Sequence, residues 1–256
     1  MWKHENRSLF FILEAVMINI KDIIVFIILF GANLLQAITG FAGTLISMPP
    51  TIKLIGVGEA KALLNAIAQI SSLMIVCTGF KHINWKEFVK IFVCMVVGMV
   101  AGIWIFNRCP LNQLLILYGV MIIVIALKKL IFKENKEYQL PKAAGILILL
   151  AAGIIHGMFV SGGALLVVYA AAVLKDKEEF RATVAMIWVT TGCYITGTQV
   201  MAGNFNSHVI ALLIVGIIPV FLGTFIGTKL LKKISQEVFM KITYVLLLLS
   251  GIMAIV

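Results

Sequence analysis

Eight apolar blocks set apart by short charged stretches dominate this chain: 22–56, 59–79, 87–106, 111–131, 143–174, 180–201, 209–228 and 236–256. Six are close to the roughly 20 residues that carry a helix across a hydrocarbon core about 30 Å thick. The other two, 22–56 and 143–174, run to 35 and 32 residues, and each is interrupted midway. The first interruption holds Gln36, Thr39, Gly40, Gly43 and Thr44, and the second holds His156, Gly157, Ser161, Gly162 and Gly163. Only 12% of the 256 residues are charged while 62% are hydrophobic, too little charge to wet the surface of a soluble domain. With a mean hydropathy of +1.09, a cytosolic enzyme is excluded. The chain reads as an all-α integral membrane protein.

The two interruptions open an internal repeat. A shift of 120 lays Gln36 on His156, Gly43 on Gly163, Glu59-Ala60-Lys61-Ala62 on Glu179-Phe180-Arg181-Ala182, and Asn84-Trp85 on Asn204-Phe205. Further on the shift grows to 125, so that Gly98 and Gly102 fall on Gly223 and Gly227. The expected organisation is an N-terminal polar segment 1–21, a first repeat 22–131, a basic linker 132–142 and a second repeat 143–256. Each repeat is one glycine-broken block followed by three plain spans, a pattern typical of secondary transporters. The opening residues Met1–Asn19 include Glu5 and Glu14 and are not expected to form a cleaved leader.

Charge placement bears on how the broken blocks cross. If each is one ordinary span, the 21 basic residues divide 11 to 10 between the two sides and favour neither orientation. If each is a re-entrant hairpin, they divide 15 to 6, which gives a clear cytoplasmic side. The hairpin arrangement is favoured. It puts both termini outside the cell, the 128–142 stretch in the cytoplasm, and the second repeat inverted against the first. The formal charge of +10 then reports orientation in the cell membrane, with no nucleic-acid partner.

A break inside a membrane exposes backbone groups that hydrocarbon cannot satisfy, so it must line a polar cavity or lie buried in protein. Helices restarting near Gly43-Thr44 and Gly162-Gly163 offer free N–H groups to an anion. Close helix packing is the plainer role for these glycines. Asn65 and Gln69, four residues apart, share one helical face and serve either an oxyanion or an interhelical hydrogen bond. His156 is the one titratable residue deep in an apolar block, a proton or anion contact or a buried neutral ring. The candidate substrate site is therefore Gln36, Thr39, Gly40, Gly43, Thr44, Asn65, Gln69, His156, Ser161, Gly162 and Gly163. The GxxxG pairs at Gly98/Gly102 and Gly223/Gly227 are expected to pack the two repeats together. Cys77, Cys94, Cys109 and Cys193 are scattered and are expected to pack. There is no catalytic or metal-binding motif, and no metal or cofactor is expected.

Two four-segment halves that each open with a glycine-rich broken helix resemble the sulfite exporter TauE/SafE family. The residues that carry the resemblance are Thr39-Gly40-Phe41-Ala42-Gly43 with Pro49-Pro50, and Gly157-Met158-Phe159-Val160-Ser161-Gly162-Gly163. Tyr169-Ala170 stand where the first half has Pro49-Pro50, a departure that bears on substrate choice more than on fold. The resemblance implies movement of a small sulfur-containing anion, sulfite or an organosulfonate, outward across the plasma membrane. An uptake permease or channel for a similar anion, and a non-transport scaffold or assembly factor, remain as alternatives. The expected partners are that anion and the lipid bilayer, with room for a homo-oligomer.

Overall fold

The computed structural model describes residues 19–106, 141–160 and 162–255, together with 116, 119, 120, 123, 124, 126–128, 130 and 131. Its described residues are helical throughout: α1 Ile20–Thr39, α2 Ala42–Ile55, α3 Val57–Gly79, a 3₁₀ turn Phe80–His82, α4 Trp85–Phe106, α5 Lys142–Phe159, α6 Gly163–Val173, α7 Lys177–Met201, α8 Ser207–Lys233 and α9 Gln236–Ile255. Among the described residues, five segments are long and apolar enough to cross a membrane: α1, α3 with its 3₁₀ turn, most of α4, α8, and most of α9. Large apolar side chains stand exposed along α4 (Val93, Val97, Val100, Trp104) and α8 (Ile214, Ile218, Phe221, Phe225), as a lipid-facing surface requires. The polar segment 1–18, most of the linker 132–142, and Cys109 lie outside the described residues. Among the described residues Cys77, Cys94 and Cys193 are unpaired; Cys77 and Cys193 are exposed, and Cys193 Sγ meets Gln69 of α3.

Both overlong blocks are broken where glycine clusters interrupt them. α1 stops at Gly40, whose φ of +83° is the left-handed conformation that glycine adopts at little cost. α5 stops at Val160, which takes a φ of +55° without that freedom. Hydrogen bonds at the helix starts show which ends lie together. Asp22 in the first turn of α1 and Glu59 in the first turn of α3 both meet His208 at the start of α8. The first turns of α1, α3 and α8 therefore lie together at one end of the bundle. At the opposite end, Asn84 at the start of α4 bonds Glu179 and Thr183 at the start of α7.

Glycine seams join helices from the two sides of the 132–142 linker. On α4, Gly98 and Gly102 lie against the α5 backbone, where added Cβ atoms would come within 2.3 Å of Leu150 O and 2.1 Å of Ile154 O. On α8, Gly223 and Gly227 lie in the same way against Phe30 and Leu34 of α1. The expectation that these pairs pack the two parts of the chain together holds. In both seams the helices run parallel, since Met95 meets Gly153 while Met99 meets Gly157, and Gly223 meets Phe30 while Gly227 meets Leu34. α3 and α7 cross between the seams.

Forcing a methyl into such a seam displaces backbone, which costs about 1–3 kcal/mol or more. Gly102→Ala is expected to lower the thermal midpoint in detergent by several degrees. Gly31→Ala meets nothing within 4 Å, and the better helix former there is expected to leave the midpoint unchanged or raised. Equal midpoints for the two variants would contradict the seam.

Candidate functional site

The first break is closed by its own side chains. Thr39 Oγ1 accepts hydrogen bonds from Ala42 N (3.2 Å) and Phe41 N (3.4 Å). Gln36 reaches seven residues ahead, its Oε1 accepting from Gly43 N at 2.9 Å while its Nε2 donates to Gly40 O and Ser72 Oγ, both at 3.3 Å. From across the bundle, Trp188 Nε1 of α7 donates to Gly40 O at 2.7 Å. Of the helix-end donors expected at Gly43-Thr44, the Gly43 N–H is thus already bonded, as are the neighbouring N–H groups of Phe41 and Ala42. α2 does not present them to a ligand in this conformation.

The second break is built differently. His156 stands on α5 where Gln36 stands on α1, yet neither of its ring nitrogens has a hydrogen-bond partner, although the residue is only 4% exposed. Its ring lies 5.1 Å from that of Trp188. Gly162, at the start of α6, has no side-chain cap. A Cβ on Gly162 would meet Ala152 O and His156 Cβ, as one on Gly43 would meet Ala32 O and Gln36 Cβ. By contact, then, Gly162 rather than Gly163 corresponds to Gly43, one residue short of the 120 shift.

Between the two breaks lies a cavity of about 420 Å³, partly open, to which Gln36, Thr44, Asn65, Gln69, His156 and Gly163 all contribute. Six of the eleven residues singled out from sequence thus share one cavity. Gly43 lines a smaller space of about 200 Å³ that shares Gln36, Thr44 and Ala68 with the first and continues past Asn33 and Leu64. Thr39, Gly40 and Gly162 are buried in the breaks and line neither cavity. Ser161 lies outside the described residues. Of the side chains that line the larger cavity, His156 alone is titratable.

Asn65 and Gln69 face the cavity but bind α7. Asn65 Nδ2 donates to Thr196 Oγ1 (2.8 Å) and Gly192 O (3.2 Å). Gln69 Oε1 accepts from Thr196 Oγ1, while its Nε2 donates to Cys193 Sγ (3.4 Å), a weak acceptor, and makes a long contact with Val189 O (3.5 Å). The interhelical role is therefore in force for Asn65, and Gln69 keeps the more loosely held donors. Phe41, Leu45, Ala68, Val160, Trp188 and Gly192 also line the cavity; Phe41 and Val160 fall within the two glycine motifs, and no motif marks the other four. A fold of 120 residues was the available signal for one of them: the shift lays Ala68 on Trp188.

Residues 25–254 match the family model described as Sulfite exporter TauE/SafE. Among curated proteins the chain is 23% identical, over 180 residues, to the "Probable inner membrane transporter protein TsaS" of Comamonas testosteroni, covering 68% of this chain and 73% of that one. No solved structure matches it.

Replacing Gln36 by Leu removes the acceptor of Gly43 N–H inside the bundle, a loss of about 1–3 kcal/mol for a buried donor. Gln36→Leu is expected to lower the thermal midpoint clearly, and Gln36→Glu, which keeps an acceptor oxygen, to lower it less. If both variants melt with the parent, the amide does not hold the break.

Proposed function

The chain belongs to the sulfite exporter TauE/SafE family and is a multi-pass membrane transporter; from this we propose that it moves a small anion, sulfite or an organosulfonate, outward across the cell membrane. The observation that carries the site is His156, buried with both ring nitrogens uncommitted, in a cavity to which both helix breaks contribute. An imidazole there donates one N–H when neutral and two when protonated. Gln69 Nε2 and the uncapped start of α6 add donors, and Phe41, Leu45 and Trp188 suit the apolar part of an organosulfonate. Gln36, Thr39, Gly40, Gly43 and Gly162 shape the breaks around this site, and Ser161 belongs to the same segment.

Two features support an inverted pair of re-entrant repeats. Asp22 and Glu59 sharing His208 fits a hairpin for α1–α2. Starts of α1 and α3 at one end, and of α7 at the other, fit inversion. The positive-inside rule then puts the Asn84–Glu179 end in the cytoplasm with the 128–142 stretch, and both termini outside. An inside-negative potential drives an anion outward by about 2.3 kcal/mol per charge per 100 mV, so export needs no coupled ion. Alternating access comes from rocking of the repeats about the cavity.

Purified protein in liposomes is expected to carry sulfite or sulfoacetate. Gly163→Ala should retain flux, because its methyl would meet Trp188 at an ordinary 3.4 Å, whereas Gly163→Leu fills the cavity and should stop flux with the protein still folded in the membrane. His156→Ala should weaken transport at least tenfold, the worth of one buried hydrogen bond to an anion. Undiminished flux in both Gly163→Leu and His156→Ala would overturn the site, and no flux with any small anion would favour the scaffold. Cysteine labelling that finds 128–142 outside the cell would overturn the orientation.

A further inference from the structure

The smaller cavity runs from the breaks along α1 and α3 toward the end of the bundle where α1, α3 and α8 begin. It stops short of that end, where Val25, Leu63, Val209 and Leu212 are buried against one another's helices. Beyond this apolar plug sits His208. Its Nδ1 lies 2.8 Å from Glu59 Oε2 and its Nε2 lies 3.2 Å from Asp22 Oδ1. The other oxygen of Glu59 accepts from Asn206 Nδ2 at 2.7 Å. Three helices are thus tied through one imidazole.

A neutral imidazole has one N–H and one lone pair. In either tautomer, one of these two contacts would set a nitrogen lone pair against a carboxylate oxygen. Only the imidazolium donates to both, so the arrangement itself contains a bound proton. Among the described residues, the charged groups that face the ring are Asp22 from α1 and Glu59 from α3, the two helices against which α8 packs at this end. Lys21 and Lys61 are the nearest cations in sequence on those helices, and α8 contributes Asn206, an uncharged amide, from the residue before its first turn.

The other end of the bundle has the same amide–carboxylate link without the imidazole. Asn84, which caps α4 through Glu87 N, donates to Glu179 at 2.8 Å, just as Asn206 caps α8 through Val209 N and donates to Glu59. An amide does not titrate. The amide–carboxylate link at that end therefore holds no imidazole, whereas the link at the His208 end does.

We propose that Asp22, Glu59 and His208 form a proton-binding clasp that holds this end of the route shut, so that loss of the proton frees the first turns of α8 from those of α1 and α3, with the glycine seam deeper in the bundle unbroken, and opens the cavity toward that side. The clasp is held while the ring carries its proton and weakens as pH rises. Its consequence for anion flux rests on the transporter reading, but the opening itself does not. If the orientation above holds, this is the outer gate, and acid outside the cell keeps it closed.

The experiment places a single cysteine at Leu212, one turn inside the clasp, in full-length protein whose native cysteines are replaced by alanine. Its modification by a membrane-impermeant maleimide is followed from about pH 5.5 to about pH 9, across the basic side of an ordinary imidazole titration. Each rate is divided by that of a cysteine at the exposed position Met201, which removes the intrinsic pH dependence of a thiol. The normalised rate is expected to rise about three- to tenfold with pH, the range for one hydrogen bond to a charged group that is partly screened by solvent. In His208→Gln it is expected to be flat. A flat profile in the parent, or an unchanged rise in His208→Gln, would overturn the clasp. Nitrogen-15 spectra of histidine-labelled protein test it without the Leu212 cysteine. The His208 signal, assigned by its loss in His208→Gln, should be that of an imidazolium at neutral pH, and a neutral ring there would also overturn it. Proteoliposomes with pH set separately on each face complete the test. Flux should respond to pH on the His208 side alone, and a clasp that opens in protein carrying no flux would leave the proton site standing while the transport reading falls.

Discussion

A chain that interrupts a helix within a bilayer must supply partners for every amide and carbonyl the interruption frees, because hydrocarbon supplies none. That requirement organises the centre of this molecule. At the first break the freed groups are taken up by Thr39 and Gln36 from the same helix and by Trp188 from α7. The tryptophan makes the break a junction between elements nearly 150 residues apart. It also sets how closely α7 approaches, since the backbone of Arg181, two turns earlier, lies against Gly40, where a Cβ would come within 3.2 Å of Arg181 O. The left-handed turn at Gly40 is thus needed twice, for its φ and for this approach.

Around that junction the helices are not equally free to move. The two glycine seams bring backbones into direct contact, α4 with α5 and α8 with α1, and each pair unites one broken helix with one plain helix from across the linker. Such seams resist sliding because any relative shift drives Cα atoms into carbonyls. The α3–α7 crossing is held instead by side chains, Asn65 and Gln69 against Thr196 and the α7 backbone. At the two ends the pieces are joined by polar side chains, Asn84 with Glu179 and Thr183 at one, Asn206 and His208 with Glu59 and Asp22 at the other. A rocking motion in the proposed carrier would leave the seams intact and exchange partners at the crossing and the ends, where polar contacts can be remade at small cost.

The breaks, their spacing and the glycine seams were legible in the sequence because each depends on one residue type for one geometric reason. Overlong apolar blocks and small residues four apart survive as patterns even when the rest of the chain drifts. Engagement was not legible. Asn65 and Gln36 are amides in apolar surroundings, and whether such a group waits for a ligand or is already bonded depends on what another helix brings, here Thr196 and the backbone of Gly43. Trp188 and Phe41 look like ordinary membrane-helix residues, and only the crossing of α7 over the break makes them cavity walls. The repeat itself misleads by a residue or two where the halves differ in length. A shift of 120 pairs Asn84 with Asn204 and Gly43 with Gly163, but the residues that repeat their contacts are Asn206 and Gly162.

Where the halves do correspond, they differ in chemistry, and the difference bears on how the site works. Gln36 and His156 occupy the same place relative to their breaks, each beneath a glycine that abuts its Cβ. An amide offers a donor and an acceptor together, and Gln36 uses both to seal its own break. An imidazole is shorter and more rigid, and here it reaches no backbone group at all. No hydrogen bond of the second break therefore depends on the His156 ring, while burying its two nitrogens without partners costs free energy that an apolar residue of similar size would not. A cost carried at one of two equivalent positions, and on the side that faces the cavity, is what a binding group requires: it is recovered only when a ligand enters. In the proposed carrier the sealed break would supply the fixed wall against which the anion is held.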